Sequence, residues 1–171
     1  MAILTESGRA AMAKAIAAQA IHLAWGIGGN DWDAATPPPE SVGAIALAAE
    51  VGRRSVTSVQ YVTPDDNGDV VVPVFGPSAG AGRRRFRVVE GPTPHLYMRF
   101  NFEFEDAPAS EIRELAVFTG TVIKDGLPVG QRYFEPADIL DAGIMLAVEN
   151  LREKIIRSPN SRQAFEFVLT I

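Results

Sequence analysis

Four glutamates stand closer to a catalytic pattern than any other residues of this chain. Glu103, Glu105, Glu111 and Glu114 lie near one another in sequence, and a pair of carboxylates can act as acid and base in glycoside hydrolysis. However, the first two alternate with phenylalanines, which places them on the polar face of a strand where solvated charges are expected. The pattern favours surface carboxylates and leaves a polysaccharide-acting enzyme as the weaker alternative.

Nucleophilic and metal-dependent chemistry lack their usual residues. The chain has no cysteine, which excludes thiolate catalysis, disulfides and thiolate metal sites. His22 and His95 each stand in an alternating segment without an Asp or Ser in the same motif, as structural histidines do. The acidic stretch 65–69 lacks the spacing and terminal Glu of a calcium loop, and it indicates a turn. We therefore expect no catalytic residue, no metal site and no cofactor.

Two glycine-rich stretches could in principle hold phosphates. Gly26-Ile27-Gly28-Gly29 follows a strand-like segment, but Asn30, two aspartates and then prolines follow it rather than the start of a helix, which is the wrong context for a dinucleotide fingerprint. The stretch 76–84 lacks the Lys-Ser/Thr ending of a phosphate loop. Both stretches indicate turns rather than nucleotide sites.

Composition places the chain among ordinary globular proteins. It has 171 residues, 47% of them hydrophobic and 22% charged, which fits one domain over residues 1–171. Its formal net charge of −5 argues against binding to nucleic acid or to an anionic membrane. No apolar run reaches the roughly 20 residues of a membrane-spanning helix, and an acid stands where a signal peptide needs Lys or Arg. We expect a protein that is neither exported nor inserted into a membrane.

The chain begins with helix-like sequence and continues with strand-like sequence. Thr5 can cap an amphipathic helix over Glu6 to Gln19 (about residues 5–20), and Ile21 to Gly26 alternates as a half-buried strand does. A second, short helix is expected to begin at Glu40 or Ser41 and to run through Ala48, with Gly52 in its cap. From Arg53 onward the period is two, and we expect eight further segments of strand. They are 56–61 with 70–72 as its hairpin partner, 86–89, 96–104, 114–123 with 131–134 as its partner, 144–148 up to a bulge or a change to helix near 149–150, and 164–171.

These elements predict an α+β fold, with the N-terminal helix packed on a mainly antiparallel β-sheet or sandwich. The apolar faces of the alternating segments supply the expected core. Its members are Leu23, Trp25, Met98, Phe100, Phe102, Val117, Phe118, Phe167 and Leu169.

Two long loops carry the candidate protein contacts. The loops Gly26–Glu40 and Val74–Arg85 are rich in Gly or Pro, and structureless loops of this length in a compact domain are usually functional. Aromatic residues and arginine are common interface anchors. We therefore expect partner chains to order these loops, with the contacts made by Trp32, Phe75, Arg83, Arg84 and Arg85.

Several motifs resemble a known family in their order along the chain. The opening Leu4-Thr5-Glu6-Ser7-Gly8-Arg9 with its Ala-rich helix, and then His22 to Gly28, resemble the start of bacteriophage tail-collar and tail-fibre attachment proteins. Further matches are Leu47 to Arg54, Glu111 to Phe118 and the terminal Phe165 to Ile171.

The resemblance implies a virion structural protein of the phage tail, a baseplate or tail-fibre adaptor made in the host cytoplasm and present in several copies or as a homo-oligomer. Its partners would be other tail or baseplate proteins. Since the chain has no repetitive shaft, a small adaptor fits better than a whole fibre. A soluble binding module unrelated to phages is the alternative.

Overall fold

A computed structural model of the chain describes residues 2–32, 36–75 and 82–171, with the backbone alone at Phe75. The described residues divide into two compact units. The barrel unit comprises Met1–Gln19, Val56–Phe100 and Ala164–Ile171, and the sheet unit comprises Ala20–Ser55 and Asn101–Gln163. That the units form a single domain stays a prediction.

Strands account for 47% of the chain and helical residues for 9%. The described residues contain one α-helix, one short 3-10 helix and twelve strands. In chain order the elements are α1 (Glu6–Ala17), β1 (Ile21–Gly26), β2 (Glu50–Ser55), β3 (Ser58–Pro64), β4 (Val70–Phe75), β5 (Arg83–Val88), β6 (His95–Phe102), β7 (Glu111–Thr119), β8 (Val122–Ile123), β9 (Tyr133–Phe134), the 3-10 helix (Pro136–Asp138), β10 (Ile139–Asp141), β11 (Ile144–Ile156) and β12 (Gln163–Thr170).

Five strands of the barrel unit close on themselves in the order β12-β4-β5-β3-β6. Strand β5 pairs antiparallel with both β3 and β4, whereas β12 pairs parallel with β4. Closure turns one face of every strand inward, and the apolar residues on those faces form the core. One buried cluster consists of Val62, Val72, Val74, Phe86 and Val168.

The α+β prediction is wrong, because the helix does not form a layer on a sheet. Helix α1 is capped by Thr5, whose side chain accepts the Gly8 N–H as expected, but Ala13 is its one buried residue. The closed barrel covers its own core, so it needs no helix to do so. The protein is mostly β, with a five-stranded closed barrel. Among the described residues no helix is long and apolar enough to span a membrane.

The sheet unit is built on a five-stranded sheet of order β11-β7-β1-β2-β9. Strand β1 pairs antiparallel with both β2 and β7, and all six of its residues are buried. A second, two-stranded sheet joins β8 and β10. A buried cluster on the larger sheet comprises Ala24, Leu47, Ala116 and Phe118.

The second predicted helix is absent from residues 41–49, which form turns and bends. The amides of Ala48 and Ala49 donate to the carboxylate of Glu114, at 2.9 and 2.8 Å, so they are not available to helical carbonyls. Gly52 is not a helix cap but a residue of β2. A Cβ there would overlap the phenol group of Tyr133, and close approach of the ring explains the glycine.

Both predicted hairpins are wrong in their pairing. The turn at residues 65–68 forms, with the Gly68 N–H bonded to Asp65 O at 2.9 Å, but β5 lies between β3 and β4. In the second case the strand ends at Thr119, because Gly120 adopts a left-handed conformation with φ of 71°. The following β8 then pairs with β10, while β9 pairs with β2.

The predicted core is confirmed. All nine of its residues are buried, with exposed fractions of 5% or less. Phe100 and Phe167 stack with ring centroids 5.8 Å apart, and Trp25 stacks on Phe102 at 3.8 Å. The irregularity in β11 is also confirmed, as a register shift between Asn150 and Ile155 within one continuous strand.

Candidate functional site

The three predicted arginines begin strand β5 of the barrel. Arg83, Arg84 and Arg85 are exposed, while the next residue, Phe86, is buried. Because side chains alternate along a strand, Arg84 lies on the same face as Phe86, and its cross-strand partner on β4 is the buried Val72. Strand β4 ends at Phe75, whose side chain lies outside the described part of the structure.

These arginines line a cleft of about 820 Å³ at one end of the barrel, which we call the arginine cleft. Its lining comes from the last residues of β3, β4 and β12, from the first residues of β5 and β6, and from α1. The charged lining residues are Arg9, Arg83, Arg84, Arg85, Asp65 and Asp66. The apolar lining comes from the buried Val74 and Phe86.

The charges of the arginine cleft are unbalanced. Asp65 pairs with Arg87 at 3.4 Å and accepts the Asn67 N–H at 2.9 Å, so its charge is already offset. Within the described ranges, Arg83 and Arg84 form no ion pair. Arg85 donates to the carbonyl of Gly68 at 3.1 Å, which ties it to the turn between β3 and β4.

His95 lines the same cleft from the start of β6. Its Nδ1 lies 3.0 Å from Thr170 Oγ1, and its ring contacts that of Phe86 at 5.8 Å between centroids. Burial lowers the pKa of His95, and the negative charge of Glu6 acts in the opposite direction. A histidine with a lowered pKa adds little positive charge at neutral pH.

Trp32, the other predicted contact residue, belongs to the sheet unit, where it is half-buried. Its amide donates to Gly29 O at 3.1 Å, and a Cβ on Gly28 or Gly29 would come within 2.7 Å of the indole ring. The guanidinium of Arg113 lies over the ring, 5.6 Å from a centroid. Glycine backbone and an arginine therefore hold Trp32 at the edge of a second cleft, of about 520 Å³, which we call the tryptophan cleft.

Glu114 holds the loop that carries Trp32. Its carboxylate is buried, with 2% exposure, and it accepts the amides of Gly28 at 3.3 Å, Ala48 at 2.9 Å and Ala49 at 2.8 Å. Such charge-assisted bonds are about twice as strong as neutral ones. The connection between β1 and β2 is thus bound to β7 at its start, through Gly28, and at its end, through Ala48 and Ala49.

The proline-rich middle part of the same connection is bound to β11. Asn150 donates from its side chain to Pro38 O at 2.9 Å and from its backbone to a Glu40 carboxylate oxygen at 3.1 Å. Burial, and then the nearby charge of Glu40, raise the pKa of Glu149. Part of the predicted contact loop is therefore held by its own chain.

Three arginines with little exposure, of which Arg53 and Arg157 are buried, were missed by sequence reasoning. Arg53, 2% exposed, makes two bonds to Glu50 at 2.8 Å and lies 4.1 Å from the centroid of Phe118. Arg157, 4% exposed, donates to the carbonyls of Glu103, Asp106 and Ser161. Arg54 pairs with Asp106. Each of them also bonds to a segment that is distant in the sequence, as Arg53 does to Ala142 O at 2.8 Å, so no local pattern marks them.

The four glutamates first considered for catalysis have different surroundings. Glu103 pairs with Arg162 at 2.6 Å, Glu111 pairs with Lys154 at 2.8 Å, and Glu105 is exposed. The buried Glu114 is committed to backbone amides, as described above.

The predicted contact residues thus lie on different units: the arginines on the barrel unit and Trp32 on the sheet unit. Arg9 and Arg113 complete the two clefts, and both were missed because they are far from their neighbours in sequence. In comparisons with known proteins, a family model described as "Baseplate wedge 3 tail fiber network component" matches residues 1–171. The search of curated proteins found no match.

Proposed function

The chain belongs to the baseplate wedge 3 tail fiber network component family, and from that premise we propose that it is an adaptor joining neighbouring tail proteins. Members of the family are structural proteins of the bacteriophage baseplate, so this chain is located in the tail of the virion. The finer proposal concerns how it makes its contacts. It binds its neighbours through the arginine cleft and the tryptophan cleft, and it does so without catalysis.

The observation that carries the proposal is the exposure of Arg83 and Arg84 on a strand of a closed barrel. The strands of a closed barrel pair with both neighbours through their backbone groups, so the exposed side chains take no part in these hydrogen bonds. Arginine is enriched at the centres of protein interfaces, where it can bond with several donors at once. Two adjacent arginines without ion pairs in the described ranges are therefore suited to a partner chain.

The tryptophan cleft supports the same proposal from the sheet unit. Trp32 is held by glycines on its own loop and by Arg113, and the neighbouring Ile27 is 42% exposed. A Trp that is fixed before binding loses little conformational freedom in an interface, and such residues often dominate binding energy. We further propose that the protein is made in the host cytoplasm and enters the tail in several copies, since large assemblies repeat their subunits by symmetry.

Incorporation into virions tests this proposal. Phage lacking the gene would be grown in cells that supply Trp32→Ala, Arg83→Ala/Arg84→Ala or the wild-type chain, and the chain would be quantified relative to other tail proteins by mass spectrometry. Both variants should fold, with melting temperatures close to wild type, and should be depleted from particles. Arg99→Ala is the matched control, because Arg99 also belongs to the barrel unit but lies outside the arginine cleft. Its side chain pairs with Glu166. Normal incorporation of both variants would contradict the proposal.

A further inference from the structure

We infer that the arginine cleft binds an acidic segment of a neighbouring tail protein. This inference rests on the proposed adaptor function and names the chemistry of one partner. The occupant is a stretch of chain rich in Asp or Glu, with its carboxylates bonded to Arg83 and Arg84 at the end of the barrel.

Charge is the first argument. Four of the chain's sixteen basic residues line this one cleft, although the chain as a whole carries a net charge of −5. Of the two acids in the lining, Asp65 is paired with Arg87, and Asp66 is exposed. The local charge is therefore opposite in sign to that of the whole chain, and complementary potentials of this kind select partners.

The availability of the arginines is the second argument. Arg85 is bound to the carbonyl of Gly68 and Arg9 to the backbone oxygen of Ile171 at 3.4 Å, whereas Arg83 and Arg84 have no ion pair within the described ranges. The six residues that join Phe75 to Gly82 in the sequence include no acid, so they add no counter-charge. A single planar guanidinium group can bind a carboxylate with two parallel hydrogen bonds, and Arg83 and Arg84 can each offer this geometry to a partner.

The shape of the site is the third argument. A volume of about 820 Å³ is in the range of sites that enclose several side chains. Buried Val74 and Phe86 contribute apolar surface, against which the methylene groups of Glu side chains can pack. Water is displaced from such a surface on binding, which strengthens the charge interactions above it.

A protein partner fits better than a nucleic acid. The net charge of the whole chain repels a polyanion at long range, and the arginines gather at the end of a barrel rather than along an extended stripe. A baseplate component, moreover, is surrounded by other tail proteins. A short acidic peptide can enter the cleft and remain distant from most of the negative charges on the rest of this chain's surface.

Fluorescence anisotropy with the full 171-residue chain and a fluorescein-labelled hexaglutamate peptide tests the inference. Saturable binding is expected, with affinity falling roughly tenfold as NaCl rises from about 50 to about 300 mM. Arg83→Ala/Arg84→Ala should weaken binding at least about tenfold, and Arg84→Glu further, because it reverses the charge. The lysine variant Arg83→Lys/Arg84→Lys should keep most of the affinity, and Arg99→Ala should stay within about twofold of wild type.

Three results would overturn the inference: no saturable binding of hexaglutamate, equal binding by Arg83→Ala/Arg84→Ala, or tighter binding of a single-stranded DNA of the same charge. These results differ from failure of the proposed function. If hexaglutamate does not bind but Arg83→Ala/Arg84→Ala is still depleted from virions, the adaptor function stands and the acidic partner is wrong. If the peptide binds through the arginines but the variant is incorporated normally, this contact has no role in assembly.

Discussion

Gly26 on β1 lies directly opposite Glu114 on β7, and each residue depends on the other. They are register partners in the sheet, and a Cβ at Gly26 would overlap the Glu114 carboxylate. The missing side chain leaves the space in which the carboxylate turns toward the amides of Gly28, Ala48 and Ala49. One glycine and one buried acid thus shape the loop that presents Trp32.

Glu114→Gln should destabilise the protein by about 1–3 kcal/mol, because an NH2 group replaces an oxygen and leaves at least one backbone N–H without its acceptor. Chemical denaturation measures this loss. Glu111→Gln is the control on the same strand, since its pair with Lys154 is about half exposed and should contribute less than about 1 kcal/mol. Equal stability of the two variants would mean that the Glu114 bonds do not hold the loop.

Gly52→Ala should also destabilise the protein, by about 1–3 kcal/mol, because the added methyl group overlaps Tyr133. The Tyr133 hydroxyl donates to Val51 O and accepts from Trp25 Nε1, both at 3.1 Å, so displacing it breaks two bonds. Gly43→Ala is the control, because a Cβ there would meet Ser41 Oγ at 3.7 Å, an ordinary van der Waals distance. The melting temperature of Gly52→Ala should be clearly lower than that of Gly43→Ala. A wild-type melting temperature for Gly52→Ala would refute the close approach of Tyr133.

Buried and less buried side chains alternate along β6, and this alternation predicts which phenylalanine contributes to stability. Phe100→Ala should lower the free energy of unfolding by roughly 3–5 kcal/mol, since Phe100 is fully buried against Phe167. Phe104→Ala should change it by less than about 1 kcal/mol, because Phe104 lies beyond the end of the strand with 40% exposure and contacts Arg162. Urea titrations of both variants test this, and a larger loss for Phe104→Ala would show the assignment to be wrong.

His22 should make the protein less stable in acid. Burial, and then the charge of Arg53, lower the pKa of His22 from 6.5 to about 4. Between these values the unfolded chain binds a proton that the folded chain does not, so stability is lost as the pH falls from about 6.5 toward 4. The loss from this group by pH 4.5 is roughly 2–3 kcal/mol.

Comparing wild type with His22→Gln isolates that contribution. Between pH 7.5 and pH 4.5 the wild type should lose roughly 2–3 kcal/mol more of its unfolding free energy than the variant does. The other titrating groups are common to both proteins and cancel in the difference. A difference that stays constant over this pH range would show that His22 titrates normally in the folded state.

Local patterns predicted the strands and the core but not the architecture. Leu96, Met98 and Phe100 were recognisable because alternate side chains of a strand face one side. Strand order is different, because it depends on pairings between distant segments, such as the parallel pair of β12 with β4. The Ala-rich helix carried an apolar face that suggested a core layer, yet the barrel had already enclosed its core.

The candidate surfaces were predictable to a similar extent. A run of three arginines and a lone Trp in a glycine loop are visible in the sequence, and both lie at clefts. Arg9 and Arg113 could not be assigned to these clefts, because only the folded chain brings them there. That the arginines belong to the barrel unit and Trp32 to the sheet unit also required the tertiary structure.

Cryo-electron microscopy of the assembled baseplate tests the central claim most directly. We predict density for this chain in the baseplate, with Asp or Glu side chains of a neighbouring tail protein against Arg83 and Arg84 and another contact at Trp32. A map in which the chain occupies the baseplate while both clefts face solvent would contradict the proposed contacts. A baseplate that is complete without the chain would contradict the adaptor function itself.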